Sequence, residues 1–306
     1  MSQLVESESL VTQRPARLRE VKGTHIKPAI PYWQAAILVA ISLGLYWRTI
    51  YHLVLQWAAT DSDFSHGFFV PLFSAFVIWQ ERRRLSEIIP QPAWSGLALV
   101  ASALCALIVG QLGAELFLAR VSMLLLIAGL VVLFLGWNYF RAILFPWAFL
   151  LFMIPIPTLL YNQITFPLQL LASRVAADVL QLLNVPVFRE GNVITLPNIV
   201  LEVAKACSGI RSLMSLTCLA FLYGYLMERR IAVRWAVALI SLPIAVAANS
   251  ARIIGTGLMA QYWDPDKALG FYHIFEGWLV FVVSLVLLHL AHLLMQVIWP
   301  DRGVPS

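Results

Sequence analysis

The stretch WAVALISLPIAVAANSARIIGTGL, residues 235–258, runs through more than six helical turns with Arg252 as its one charged side chain. At about 1.5 Å of rise per residue a helix of that length exceeds the roughly 30 Å hydrocarbon core of a bilayer. It lacks the sustained alternation of a barrel strand. The whole chain agrees: 60% of its 306 residues are hydrophobic, 12% are charged and the mean hydropathy is +0.81. That is more apolar side chain than one soluble core can bury. The fold class is therefore an all-α integral membrane protein, in which every backbone polar group is satisfied within a helix.

Working outward, apolar runs predict a bundle of about eight transmembrane helices at roughly 32–50, 66–80, 94–112, 120–137, 142–156, 209–227, 235–258 and 274–298. The second and fifth are short for a full span. Basic residues fall in alternate loops: Arg14, Arg17, Arg19, Lys22 and Lys27 before the first span, Arg82, Arg83 and Arg84 after the second, Arg141 after the fourth, Arg229, Arg230 and Arg234 after the sixth, and Arg302 after the eighth. By the positive-inside rule those segments and both termini are cytoplasmic. Residues 1–30 read as a disordered basic leader, 31–300 as the membrane domain and 301–306 as a tail. The first apolar run is longer than a signal-peptide core and has no small-x-small cleavage site, so it reads as an uncleaved anchor. The leader's basic residues are accounted for as topology determinants, and no nucleic-acid role is implied.

The longest segment expected on the opposite side is 157–208. Its first part, TLLYNQITFPLQLLASRVAADVLQLLN, has helical periodicity interrupted by polar residues, which predicts a helix lying in the interface or packed on the bundle, with Arg174 and Asp178 one turn apart as a surface ion pair. Its second part, VPVFREGNVITLPNIVLEVAKA, is rich in β-branched residues around a Glu-Gly-Asn turn and predicts a small extracytoplasmic β-hairpin plus a third extended piece.

Cys207 and Ser208 follow that piece where the sixth apolar helix starts, with Gly209 beside them allowing close backbone approach. A thiol at a helix N-terminus meets the positive end of the dipole, which favours the nucleophilic thiolate; a structural thiol is the alternative. Cys105 and Cys218 lie inside apolar spans, where a cysteine is a small inert core residue. Cys218 is about 16 Å along one helix from Cys207, which excludes a disulfide between them. Arg252, near the outer end of its span, is either a functional cation or a structural one paired with a carboxylate or helix-end carbonyls. His273 opens the eighth span and is either an interfacial histidine or a third member of the group. A thiol, an imidazole and a fixed cation at one membrane level form an acyl-transfer constellation.

These residues also resemble a family. ACSGIRSL at 206–213, NSAR at 249–252, H-x-x-x-G at 273–277, FSHG at 64–67 and PVFREGNVITLP at 186–197 are similar to the exosortases, which belong with the archaeosortases. The likeness covers roughly residues 60–298. It implies a membrane cysteine transpeptidase, with Cys207, Arg252 and His273 on the family's proposed catalytic positions. It implies as partners membrane-anchored proteins bearing a short Pro-Glu-Pro-type motif, one transmembrane helix and a basic tail, and an acceptor nucleophile. His66 belongs to the family-like FSHG. Arg211 is one turn beyond Cys207 and is a candidate for binding an acidic substrate residue or lipid headgroup, or for snorkelling to the interface. Asn249 is nearly one turn before Arg252 and is a candidate for orienting it. No cofactor is expected: Asp61, Asp63 and His66, or His289 and His292, make no complete metal-ligand set. A transporter or glycan-lipid carrier, using Arg252 and Arg211 on an anionic headgroup, and a noncatalytic sorting scaffold are the competing readings; neither needs the thiol.

Overall fold

The computed structural model describes residues 31–59, 64–113, 115–202, 209–263 and 271–299. Among the described residues the secondary structure is helical apart from one small sheet, and large apolar side chains such as Trp47, Leu72 and Leu112 stand exposed along the helices, as lipid-facing residues do. α1 is Tyr32–Ala58, α2 Phe69–Gln80, α3 Arg82–Glu87, α4 Ser95–Leu112 and α5 Leu116–Phe134. They are followed by α6 Trp137–Ala142, α7 Leu144–Phe149 and α8 Thr158–Leu182. After the sheet come α9 Gly209–Met227, α10 Ile231–Tyr262 and α11 Phe271–Ile298.

All eight predicted segments are helical, but among the described residues only five helices, in α1, α4, α5, α10 and α11, are long and apolar enough to cross a membrane alone. The predicted span at 142–156 is not one helix. It is broken into α6, α7 and a 3-10 turn at Leu150–Met153, then bends by 87° into α8, making at most a sixth span as a broken or re-entrant pair. Pro155 and Pro157 explain the break, because proline removes a donor and biases the residue before it away from helical backbone.

Small residues govern the close helix contacts. Between α4 and α5, a Cβ on Gly96 would lie 2.3 Å from the Leu133 nitrogen, and one on Gly129 2.8 Å from the Val100 nitrogen. Backbones meet directly there, the contact that drives helix association where lipid is as apolar as leucine. α8 packs on α10 rather than standing apart: Ala172, Ala176 and Leu180 share a buried cluster with Ile253, and Gly257 opens room for Leu180. Among the described residues Arg174 and Asp178 do not pair with each other. Their order, cation before anion, is the less favourable orientation for an i, i+4 pair on a helix.

The predicted hairpin and third piece form an antiparallel sheet in the order β1 (Phe188–Glu190), β2 (Val193–Thr195), β3 (Val200–Glu202). Phe188 is opposite Thr195, and Val193 is opposite Glu202. Gly191, at φ +62°, makes the tight turn between β1 and β2. Ile194, Leu196 and Leu201 point into the α8–α10 cluster, so the sheet is clamped to the part of α10 that carries Arg252.

Candidate functional site

Cys207 and Ser208 lie outside the described residues, between the end of β3 at Glu202 and the start of α9 at Gly209. Arg211 falls in the first turn of α9 and His273 in the first turn of α11; for both, the backbone is described and the side chain is not. The starts of α9 and α11 thus supply two of the predicted positions, Arg211 and His273.

α10 contributes the rest. Its face toward α9 is set by Ser241, whose hydroxyl is 3.4 Å from that of Thr217, and by Ala245, buried with Leu213 and Leu216. Helical spacing continues the same stripe through Asn249, Arg252 and Thr256. Arg252 is only 7% exposed. Asn249 lines a narrow gap with Leu213 of α9 and Thr165 and Gln169 of α8. Its Oδ1 is buried and accepts no hydrogen bond among the described residues, so the predicted orienting contact to Arg252 is not made through that atom.

The FSHG motif is explained in part by packing. Phe64 is buried and Ser65–Phe68 forms a 3-10 turn. A Cβ on Gly67 would lie 2.4 Å from Trp57 Nε1, so only glycine lets this turn close on the indole. Trp57 Nε1 in turn donates to the Met153 carbonyl at 2.9 Å, and His66 Nε2 donates to the Phe152 carbonyl at 3.2 Å. The motif therefore fastens the chain after α1 onto the break between α7 and α8, whose freed carbonyls need donors. His66 Nδ1 is buried without a hydrogen-bond partner among the described residues. The ring lines a cavity of about 400 Å³ together with Phe73, Ser215, Cys218 and Phe281. Trp57 and Ser215 were not singled out in the sequence; a tryptophan at the end of an apolar helix carries no signal that its indole will cap a broken helix far along the chain.

The other end of the bundle holds a second polar group. Tyr223 Oη is 2.8 Å from Nδ1 of both His289 and His292, and His292 Nε2 is 3.5 Å from Glu228 Oε2. Asp61 and Asp63 lie outside the described residues, and among those described no group of three His, Cys, Asp or Glu side chains is arranged to hold a metal.

No curated protein and no solved structure matches the chain. A family model described as Transmembrane exosortase (Exosortase_EpsH) matches residues 57–290. That stretch runs from the end of α1, through the FSHG turn, the sheet and all three helices bearing the predicted positions, into α11. With three-quarters of its length so matched, the chain belongs to the transmembrane exosortase family.

Proposed function

We propose that this protein is a membrane cysteine transpeptidase that processes secreted proteins carrying a C-terminal sorting signal, a short PEP-CTERM-like motif followed by a transmembrane helix and a basic tail. The observation that carries the reading is a buried guanidinium, Arg252, on the face of α10 that packs against α9, the helix that follows Cys207 in the chain, within a chain of this family. A cation buried among apolar helices is costly and is retained where it acts.

In the reaction, Cys207 Sγ attacks the peptide carbonyl carbon next to the substrate's helix. His273 takes the thiol proton and returns it to the departing amine as the carbon–nitrogen bond breaks, leaving a thioester. Arg252 stabilises the oxyanion of the intermediate. An acceptor amine, or a nucleophile on a glycan or lipid carrier, then attacks the thioester and releases the thiolate; with water the outcome is hydrolysis. Ser208 and Arg211 flank the nucleophile and contact the substrate, and Asn249 and His66 line the approach. The helix stagger supports this grouping. Gly224 packs against the Arg234 backbone and Thr217 meets Ser241; continued along the antiparallel pair, that stagger brings Gly209, the first residue of α9, level with Asn249, nearly one turn before Arg252.

Mass spectrometry of a candidate substrate's new C-terminus, from cells with and without the protein, tests the chemistry. We expect an adduct in the wild type, none with Cys207→Ala at equal membrane abundance, and near-normal processing with Cys105→Ala or Cys218→Ala. Near-normal processing by Cys207→Ala would remove the nucleophile and leave the transporter and scaffold readings. The protein is assigned to the bacterial inner membrane with both termini cytoplasmic and the site facing the periplasm. A cysteine introduced within 261–268 should then react with a membrane-impermeant thiol reagent in outer-membrane-permeabilised cells, and one beside Arg83 should not; reversed labelling would invert the topology.

A further inference from the structure

We propose that Tyr223, with His289 and His292, is a positioning device that holds α9 and α11 in axial register and so aligns Cys207 with His273 at the far end of the two helices. This rests on the transpeptidase reading above.

The two helices run in the same direction, and their shared core of Leu213, Leu216, Ala220 and Leu288 is apolar. Apolar packing is non-directional and tolerates sliding in small steps, whereas a hydrogen bond is lost within a fraction of an ångström. Tyr223 supplies two such bonds to α11, at 2.8 Å each. Its hydroxyl has one proton, so it donates to one imidazole Nδ1 and accepts from the other, and both contacts are directional. His292 is 3% exposed, and its Nε2 lies 3.2 Å from the Gln296 amide and 3.5 Å from Glu228 Oε2. The facing charges beyond it are Arg230, 3.0 Å from Glu228 and donating also to the Trp299 carbonyl, and Arg234, which donates to the Glu228 carbonyl at 2.6 Å. The anchor is therefore tied to the loop joining α9 to α10 as well as to α11.

The spacing connects the anchor to the site. Cys207 stands sixteen residues before Tyr223, and His273 stands sixteen before His289. Along two parallel helices of equal rise, a contact between Tyr223 and His289 levels Gly209, the first residue of α9, with Phe275 near the start of α11, so the helix that follows Cys207 in the chain begins level with the part of α11 that follows His273. A slip of one helical turn would separate them axially by about 5.4 Å, far beyond the reach of a proton transfer.

The test is a cross-linking rate in the full chain in its membrane, independent of turnover. In a background with Cys105→Ala and Cys218→Ala, His273→Cys introduces a thiol whose disulfide with Cys207 reports their alignment. We expect ready disulfide formation in the parent, slowed about tenfold or more by Tyr223→Phe and by His289→Leu at its exposed position, with His292→Asn, whose amide replaces Nδ1, retaining most of the rate. The same Tyr223→Phe change with His273 intact should cut processing by a similar factor at equal abundance. No disulfide in the parent, or an unchanged rate in Tyr223→Phe and His289→Leu, would overturn the proposal. If Cys207→Ala still processed substrate while the disulfide behaved as expected, the alignment would stand and the transpeptidase reading would fall.

Discussion

The two ends of the α9–α10–α11 group treat polar side chains in opposite ways. At the basic end Glu228 accepts from the backbone nitrogens of Arg229 and Arg230 at 2.8 and 3.0 Å and pairs with the Arg230 guanidinium at 3.0 Å. Hydrogen bonding from Arg230 holds its carboxyl down to about 2. At the sheet-bearing end, buried acceptors on Asn249 and His66 have no partner among the described residues, and they border open volume. A saturated network fastens helices. Polar atoms left unsaturated beside a cavity cost stability, and a fold that keeps them has a use for them.

The comparison breaks most sharply at Arg252. If the sheet-bearing end is the working end, Arg252→Lys, which keeps the charge and loses the planar fork, should lower processing about 100-fold while the protein still inserts at normal levels. Turnover normalised to membrane abundance decides it: activity lost only in step with abundance would move Arg252 to the fastening class.

Glu228 should behave in the opposite sense, through stability. Glu228→Gln should cost roughly 3 kcal/mol of stability, because it strands Arg230 beside a neutral partner, and should leave turnover per folded molecule near that of the wild type. The same group fixes a pH response. Its folded-state carboxyl titrates below its ordinary value of 4.5, so its contribution is fully present above that value and fades as the pH falls toward 2. Thermal unfolding in detergent across that window should show the loss in the wild type and a flatter profile in Glu228→Gln.

A smaller effect is expected at Gly67. Gly67→Ala forces the Trp57 indole off its contact and should destabilise the protein by about 1–3 kcal/mol. Because the same turn carries His66, processing should fall more than stability alone accounts for. A processing loss that merely tracked folded abundance would make the FSHG turn part of the frame.

Much of this was legible beforehand, and the failures have identifiable causes. The Glu-Gly-Asn turn with β-branched flanks announced the sheet because its signal is local: a glycine at positive φ and a period of two. The helix start at Gly209 followed from an abrupt change in composition, and the last helix, expected from 274, begins at Phe271. The run at 142–156 was misjudged as one span because hydropathy counts apolar residues without weighing what Pro155 and Pro157 do to the backbone beside them. The expected Arg174–Asp178 pair came from spacing alone, which says two side chains are neighbours but not that they prefer each other to water.

The sequence by itself determined the solvent of this protein, the helical class and the sheet, and it supplied the candidate residues for the proposed acyl transfer. Tertiary structure decided that α8 lies against α10 beside Arg252, that Trp57 caps a helix break through the opening left by Gly67, and that Tyr223 joins two histidines sixty-six and sixty-nine residues away. The physical reason is that hydropathy separates water from everything else. Inside a bilayer a helix face against lipid and one against protein are equally apolar, so which faces meet is settled by small-residue fit and by a few directional hydrogen bonds between distant parts of the chain.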